Sequence, residues 1–385
     1  MMPLTSKERV LTVLEHKKPD RVPIVIGASN ATGIQMRAYQ RLKAQLGISA
    51  PDRYLYDWPE LGTADPDETT LQHLHSDVRG VHDSLPSKVY ERNNRRQNHS
   101  PFIDDWGTGQ KEIETGVWYP VIHPLSEEYA IEALEKYPWP DMDDSTRLVE
   151  VGKQARKLAE ENQYAILAAP WLLFPFERAF ALQGMDRFLL NLAAYPEFAR
   201  ALLLKTSAMC KQLMGNFLGE LGNHVDMIKI GDDLGTQEKL LISPRMYRQL
   251  LKPIHADYIA FIKSRTKARV FFHTDGDVYD LIDDLVEIGV DVLNPIQTSA
   301  GKMANLVELK KRYRGKLVFC GGIDSQYILP HGTPLEVSKE VRRVIDILGS
   351  GGGYMLAAVH TIMNEVPPEN ILAMVNSACP VSASD

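Results

Sequence analysis

The chain has 385 residues, of which 44% are hydrophobic and 24% are charged, and its formal net charge at pH 7 is −7. This composition is typical of a soluble globular protein. The acidic balance, without a basic stripe interleaved with aromatic residues, argues against nucleic acid as a partner. No apolar run reaches the roughly 18 residues of a membrane span, and the charged N-terminus lacks a signal-peptide pattern. We therefore expect a cytoplasmic protein without membrane contact.

The N-terminal segment predicts a helix, a strand and a second helix. Thr5 and Glu8 have the spacing of a capping box before an amphipathic stretch. Residues 20–27 are rich in β-branched side chains and predict a first strand. A helix to about Leu46 follows.

The pattern breaks up between residues 50 and 140 into proline, tryptophan, tyrosine and polar clusters. Short alternating pieces occur at residues 88–91 and 116–122. We interpret this stretch as an insertion of hairpins and loops around one core strand near residues 77–82.

From residue 141 onward, short β-branched strands alternate with helices. The predicted strands are residues 164–169, 226–230, 268–273, 290–295, 317–320 and 354–358. With the two earlier strands the count is eight, which predicts a (β/α)8 TIM barrel formed by residues 1–385 as a single domain. A doubly wound open sheet is the alternative, but the dinucleotide fingerprint GxGxxG follows none of the strands.

In such a barrel the carboxyl ends of all strands face one mouth. His273 and Asp275 end the fifth strand two positions apart, so their side chains point to the same side. They can form two corners of a metal site or a general acid/base pair. His360, after the eighth strand, can supply a third ligand and leave a position open, as in catalytic metal sites. The structural alternative is that His273 bonds a neighbouring loop and Asp275 caps the next helix.

Other polar residues and glycines also follow the predicted strands. Asp232 and Asp233 are adjacent, so only one of them can face the mouth on an extended chain. Candidate catalytic residues are Asp233, Asp77, Asn294, Gln297 and Glu365. Gly321 and Gly322 suggest close approach of a ligand to the backbone, and with Asp324 they are the candidate cofactor-binding residues.

Taken in order, these motifs resemble the uroporphyrinogen decarboxylase superfamily over nearly the whole chain. The motifs are KIGDDLG at 229–235, ISP at 242–244, FHTDG at 272–276, GVDVLNPIQ at 289–297, FCGGID at 319–324 and VPPEN at 366–370. The resemblance implies a (β/α)8 barrel and one of two chemistries.

One branch of that superfamily decarboxylates the acetate arms of uroporphyrinogen without a cofactor. It relies on an aspartate, matched here by Asp77, and on an arginine-rich segment after the first strand. This chain has Gly-Ala-Ser-Asn-Ala-Thr-Gly at residues 27–33 instead, which offers no cation. The missing arginines disfavour this branch.

The other branch contains zinc-dependent methyltransferases that work with corrinoid proteins and carry a His-x-Cys pair after the fifth strand. His273 matches the histidine, Asp275 stands in the cysteine position, and His360 falls at the last ligand position. The resemblance therefore implies a Zn²⁺ site, with the identity of the metal left open by the loss of the thiolate. Hard ligands favour polarising an ether oxygen or an amine nitrogen over activating a thiol.

The preferred hypothesis is methyl transfer from a methoxylated or methylated small molecule to cobalamin on a separate corrinoid protein. A separate partner is implied because this chain has no Asp-x-His-x-x-Gly corrinoid motif. Two alternatives stay open: a decarboxylase of a tetrapyrrole or small carboxylate that depends on Asp77, and a non-catalytic corrinoid or tetrapyrrole binding protein. The resemblance is also compatible with a homodimer.

Overall fold

The computed structural model describes residues 3–97, 100–114, 117–171 and 174–379. The strands in these ranges are β1 (Val78–Val81), β2 (Phe102–Ile103), β3 (Gly109–Glu114), β4 (Val117–Ile122), β5 (Ala165–Ala168), β6 (Met227–Gly231), β7 (Arg269–His273), β8 (Val292–Ile296), β9 (Val318–Ile323) and β10 (Tyr354–Ala358). The α-helices are α1 (Ser6–Leu14), α2 (Met36–Leu46), α3 (Glu68–His73), α4 (Ser87–Asn94), α5 (Ile131–Lys136), α6 (Val151–Glu161), α7 (Pro175–Gln183), α8 (Met185–Ala194), α9 (Pro196–Leu221), α10 (Pro244–Met246), α11 (Lys252–Lys263), α12 (Ile282–Glu287), α13 (Leu306–Tyr313), α14 (Ile328–His331), α15 (Pro334–Leu348) and α16 (Pro368–Ala378). Shorter 3₁₀ turns lie at Asn30–Thr32, Leu55–Asp57, Pro59–Leu61, Ser145–Leu148, Tyr279–Leu281 and Gly301–Ala304, and Tyr247–Leu251 forms a π-helical turn.

Seven parallel strands form one sheet in the order β1-β5-β6-β7-β8-β9-β10. The segment around Ile24 closes this sheet into a ring. The Val25 N–H donates to the Leu356 carbonyl of β10 at 2.8 Å, and the Asp77 N–H donates to the Ile24 carbonyl at 2.9 Å. Pro23 has no N–H to give, which helps to keep this eighth strand short. The predicted (β/α)8 barrel fold is confirmed, with seven of the predicted strands in one sheet and the predicted first strand at 20–27 reduced to a bridge at Ile24.

The barrel interior is filled by every second residue of the strands, among them Met227, Phe271, Val292 and Val318, each at most 1% exposed. Residues of the opposite faces pack beneath the surrounding helices. Because side chains alternate along a strand, the next inward positions toward the carboxyl ends are two residues further on. They are occupied by Lys229, His273, Asn294 and Cys320. Three of these four are polar, so the apolar interior ends in a polar layer beneath the mouth.

The N-terminal predictions hold in detail. Thr5 and Glu8 form the capping box of α1, with the Glu8 N–H donating to the Thr5 hydroxyl at 3.2 Å. Helix α2 ends at Leu46, and Gly47 follows with a φ of 68°, a left-handed conformation that glycine adopts without strain.

The insertion is partly different from the prediction. Strands β2, β3 and β4 form an antiparallel sheet, which includes most of the predicted piece at 116–122, although Thr115 and Gly116 lie outside the described residues. Residues 88–91 belong to helix α4 and not to a hairpin, because Val89 packs one helical face into an aromatic cluster that a single alternating window cannot reveal.

All three cysteines are free, and Cys210 and Cys320 are buried. Burial raises the pKa of the Cys210 thiol to about 12 and that of Cys320 further. Both thiols therefore stay protonated and act as packing residues, and burial disfavours a role for Cys320 as a nucleophile. No described helix combines the length and the apolar character needed to cross a bilayer.

Candidate active site at the barrel mouth

The structure brings together the three side chains predicted as metal ligands. His273 ends β7, Asp275 lies in the loop after it, and His360 follows β10. Asp275 Oδ2 lies 3.8 Å from His273 Nε2 and 3.7 Å from His360 Nε2, and one ligand atom from each residue lies within 4.8 Å of the others. Ligands of a tetrahedral zinc with bonds near 2.1 Å are roughly 3.4 Å apart. Small inward shifts of the side chains therefore suffice to reach ligand spacing.

Asn294 fixes the orientation of His273. Its Oδ1 lies 2.7 Å from His273 Nδ1, and its Nδ2 donates to the Cys320 carbonyl at 3.4 Å. Because an amide oxygen only accepts, Nδ1 carries the proton and Nε2 presents its lone pair to Asp275. Burial lowers the pKa of His273 to about 4, so the ring is neutral at pH 7 and suited to bind a metal.

His360 is held in an unusual backbone conformation, with a φ of 69°. For a residue other than glycine this left-handed conformation carries strain and needs support from its surroundings. The neighbours provide it: the Val359 N–H donates to the Ile323 carbonyl at 2.8 Å, and the Ile362 N–H donates to the Gly33 carbonyl at 2.9 Å. The imidazole is 42% exposed and faces the opening of the site.

Asp275 has one oxygen without a partner. Its Oδ1 is enclosed and accepts no hydrogen bond from the described residues. Its backbone N–H donates to Asp233 Oδ1 at 2.9 Å, so the two acids lie side by side. An enclosed carboxylate oxygen without a donor is costly unless a cation or a proton reaches it. This atom is thus an independent sign that a positive group belongs in the cluster.

Asp233 and Asp232 have separate tasks, as their adjacency predicts. Burial, with Asp275 nearby, raises the pKa of Asp233 to about 6. Asp232 points the other way and accepts from the N–H groups of Phe176 and Glu177 at the start of α7, both at 2.8 to 3.0 Å. It also contacts His255 Nε2 at 2.9 Å. Of this pair, Asp232 is therefore structural and Asp233 faces the mouth.

Lys229 and Glu177 extend the cluster and were missed as site residues by the sequence analysis. Lys229 is 1% exposed, and its ammonium lies 4.5 Å from the centre of the Phe174 ring. Burial lowers the pKa of Lys229 to about 8, opposed by Glu177, Asp233 and Asp275, so it still carries its charge at pH 7. Burial and then Asp233 raise the pKa of Glu177 well above its usual range. The inward period of β6 is the signal that could have identified Lys229.

An aromatic wall stands at the β1 and β5 side of the mouth, and the sequence analysis missed this too. His82 follows β1, and burial lowers its pKa to about 4. Its ring meets Tyr56 edge-on at 5.2 Å, and Tyr56 in turn lies 5.2 Å from Trp171, which follows β5. Tyr56 belongs to the insertion, and no pattern in the sequence of the insertion indicates that it reaches this wall.

Asp77 is not at the mouth, and the expectation that it lines the site is wrong. It precedes β1 at the amino end of the barrel and is 0% exposed. Its carboxylate accepts from Arg9 and Arg21, each at 2.7 Å, and from the Ile24 N–H at 2.8 Å. The acid at the carboxyl end of β1 is Asp83, which pairs with Arg147 at 2.8 Å.

Gln297 and Glu365 line an open cavity of about 500 Å³ together with Asp275 and His360. Gln297 Oε1 accepts from the Gly276 N–H at 2.7 Å and so holds the loop that carries Asp275. Glu365 is exposed at the rim. Both lie where the sequence predicts, and their catalytic role stays a prediction.

The structure supplies packing reasons for the three predicted cofactor-binding residues. A side chain at Gly321, whose φ is 119°, would meet the Ile296 N atom at 2.9 Å, and one at Gly322 would meet Val344 at 2.9 Å. Asp324 accepts from the N–H groups of Tyr327 and Ile328 at 2.9 and 3.1 Å. These contacts account for all three residues within the fold, and cofactor binding by them stays a prediction.

The protein is a (β/α)8 barrel with ionisable side chains gathered at the carboxyl ends of its strands. In barrel enzymes the active site lies at this end. The family model for uroporphyrinogen decarboxylase (URO-D) matches residues 111–379, well over half of the chain. The chain belongs to this family.

Individual relatives are distant. A uroporphyrinogen decarboxylase from Pseudoalteromonas translucida is 26% identical over 147 residues, which cover 37% of this chain and 39% of that protein. One from Paraburkholderia phytofirmans is 30% identical over 95 residues, covering 25% of this chain and 24% of that protein. The chain thus matches well under half of the length of these curated relatives.

Among solved structures, a methyltransferase from Methanosarcina mazei superposes with a TM-score of 0.65 at 18% identity. The superposition covers 97% of this chain and 98% of the other. The two proteins share the fold along their whole length.

Proposed function

We propose that this protein is a metal-dependent methyltransferase that moves a methyl group from a methoxylated or methylated small molecule to a corrinoid protein. The observation that carries the proposal is the His273, Asp275 and His360 cluster, whose ligand atoms lie within 4.8 Å of one another at the mouth. The shared fold with a methyltransferase supports it.

The residues of the cluster fit a divalent ion such as Zn²⁺. Two imidazole nitrogens and a carboxylate are a set found in catalytic zinc sites, which keep a position open for substrate. His273 would bind through Nε2, His360 through its exposed ring, and Asp275 through the carboxylate that has an unpartnered oxygen. When bound, the ion supplies Lewis acidity to the oxygen or nitrogen that loses the methyl group.

The remaining residues orient the site and handle the proton. Asn294 keeps His273 in the tautomer that presents Nε2, and Gln297 holds the loop of Asp275. Asp233, with its pKa raised to about 6, is suited to give a proton to the departing oxygen or nitrogen near neutral pH. The methyl acceptor is cobalamin on a separate corrinoid protein.

The test is metal content and demethylation of chelator-treated and zinc-loaded protein, with His273→Ala as the variant. We expect one equivalent of metal in the wild type and loss of both metal and activity in the variant. Cys210→Ala, in a buried residue of α9, is the control for folding and should keep both. A metal-free wild type that demethylates at the full rate contradicts the proposal.

A decarboxylase of a small carboxylate is the second candidate, because the family model and both curated relatives carry the decarboxylase name. It predicts release of CO₂ by chelator-treated protein without any corrinoid. Asp77 is not available for that role, since both of its oxygens are bound by arginines at the amino end. Tight binding of a tetrapyrrole without turnover, and without metal, supports a binding protein instead.

A further inference from the structure

Lys229 is a buried cation that the proposed mechanism does not use. It points into the barrel two residues beyond Met227. Its positive charge helps to lower the pKa of His273, and the negative charge of Asp275 raises the pKa of Lys229 itself. Within residues 3–97, 100–114, 117–171 and 174–379, no acceptor makes a hydrogen bond with its ammonium, which lies 4.5 Å from the centre of the Phe174 ring. An ammonium ion withdrawn from water without an acceptor is costly, so this position favours a ligand that supplies one.

Other donors on the same side of the mouth lack acceptors as well. The indole N–H groups of Trp171 and Trp58 are enclosed and have no partner among the described residues, and Trp58 is only 2% exposed. Their rings lie 4.9 Å apart, and Trp171 contacts Tyr56 in the aromatic wall that includes His82. The positive charge of Lys229 also helps to lower the pKa of His82, whose ring contacts Tyr56 in this wall. Three donors without a hydrogen-bond acceptor among the described residues thus lie on this side of the mouth, although the Glu177, Asp233 and Asp275 carboxyl groups act on the ammonium through their charge.

We propose that the methyl donor carries a carboxylate and that Lys229 pairs with it, while the methylated oxygen or nitrogen faces the cluster of His273, Asp275 and His360. A monoanion suits the site better than a phosphate dianion, because Glu177, Asp233 and Asp275 already lie close to the ammonium. The inference rests on the proposed function, since it names the substrate class of the same site. Lys229 is a specificity-determining residue in this account.

The experiment compares acids with their uncharged amides as ligands of the folded, zinc-loaded chain. The probes are methoxyacetate against methoxyacetamide and 3-methoxybenzoate against 3-methoxybenzamide, measured by calorimetry or ligand-observed NMR. For at least one pair we expect the acid to bind at least about tenfold more tightly, the order of a hydrogen bond to a charged group. In Lys229→Met that preference should disappear while affinity for the amide and metal content stay the same. Lys310→Met, which removes another buried ammonium, held by the Leu348 and Gly352 carbonyls, is the matched control and should keep the preference.

If no acid is preferred in either pair, including the case in which no acid binds, the inference is overturned. It is also overturned if Lys229→Met, shown to be folded by its melting curve, keeps the full preference. Metal content and demethylation are read separately. If a protein that binds no metal prefers acids, the methyltransferase proposal is contradicted and the carboxylate site is supported. If the protein demethylates only uncharged donors, the methyltransferase proposal is supported and the carboxylate site is contradicted.

Discussion

The two ends of this barrel both bury charged side chains, but they treat them differently. At the amino end, Asp77 accepts from Arg9, Arg21 and the Ile24 N–H, and its carboxylate is fully enclosed by these donors. At the carboxyl end, Asp275 Oδ1 has no donor among the described residues, and the Lys229 ammonium has no acceptor there. The amino end is electrostatically complete, and the carboxyl end is not.

This contrast separates stability from function in one fold. A buried ion pair with all its hydrogen bonds made holds elements together, and here it ties α1 and the closing strand to β1. Partners left open in a buried site cost stability and persist where a ligand completes them. The same contrast assigns Asp77 to the scaffold and His273, Asp275 and His360 to the candidate chemistry.

The largest expected effect is on the amino end. Asp77→Asn leaves Arg9 and Arg21 without their shared carboxylate, so the free energy of unfolding should fall by roughly 3–5 kcal/mol. Metal affinity per folded molecule should not change. Urea unfolding and metal titration of the same sample measure both, and a loss of metal affinity without loss of stability reverses the assignment of the two ends.

The next effect is a pH dependence of the carboxyl end. Burial lowers the pKa of His82 from its ordinary value near 6.5 to about 4. Between these values the unfolded chain binds more protons than the folded one, so stability falls as the pH drops from 6.5 toward 4. For this group the loss is roughly 3 kcal/mol. Urea unfolding of metal-free protein at pH 7 and pH 4.5 should show the wild type losing more stability than His82→Gln. Parallel pH curves for the two proteins contradict the prediction.

At the amino end the corresponding window lies lower. Arg9 holds the pKa of Asp20 at about 2, so its contribution is present above the unfolded value near 3.8 and is lost as the pH falls through 2.

Asp275→Asn should affect mainly metal affinity, whereas Asp77→Asn should affect mainly stability. Removing a negative charge beside Asp233 should change the free energy of unfolding by no more than about 1 kcal/mol. Metal affinity should drop more than about 100-fold, since even loss of a supporting residue costs 10- to 100-fold. Metal content by mass spectrometry and thermal melts measure the two quantities. A variant that keeps its metal excludes Asp275 as a ligand.

The smallest expected effect is on the residue that orients His273. Asn294→Ala removes the acceptor at Nδ1, so the ring loses its fixed tautomer, and metal affinity should fall by about 10- to 100-fold. Asn294→Asp keeps an acceptor and should retain most of the affinity. Equal losses in both variants show that Asn294 serves packing and not orientation.

Much of the fold could be predicted because the signals are local. A few consecutive residues are enough to show the alternation of inward and outward side chains in strands such as β7 and β8. The same holds for the glycines and prolines between elements. The alternating residues 88–91 predict a hairpin strand but lie in helix α4, because four residues are too few to distinguish a helical from a strand repeat. The buried side of α4 depends on an aromatic cluster from other segments.

The candidate site was predictable in its ligands and not in its surroundings. His273, Asp275 and His360 all follow strands, so the barrel rule alone places them at one mouth. Asp77 became a candidate through the family resemblance, although it begins the predicted strand at 77–82, and the structure places it before β1 at the amino end. Tyr56 and Glu177 come from an insertion and a helix start, for which no strand rule applies.

By itself, the sequence determined seven strands of the barrel and the three polar residues that end or follow two of them, because side-chain alternation is a property of each strand. Only the tertiary structure decided which polar groups share a site and which are satisfied elsewhere. Asp232 and Asp233 are neighbours in the chain, yet one caps a helix and the other faces Asp275. Distances between segments far apart in sequence, and the burial that shifts each pKa, exist only once the ring of strands has closed.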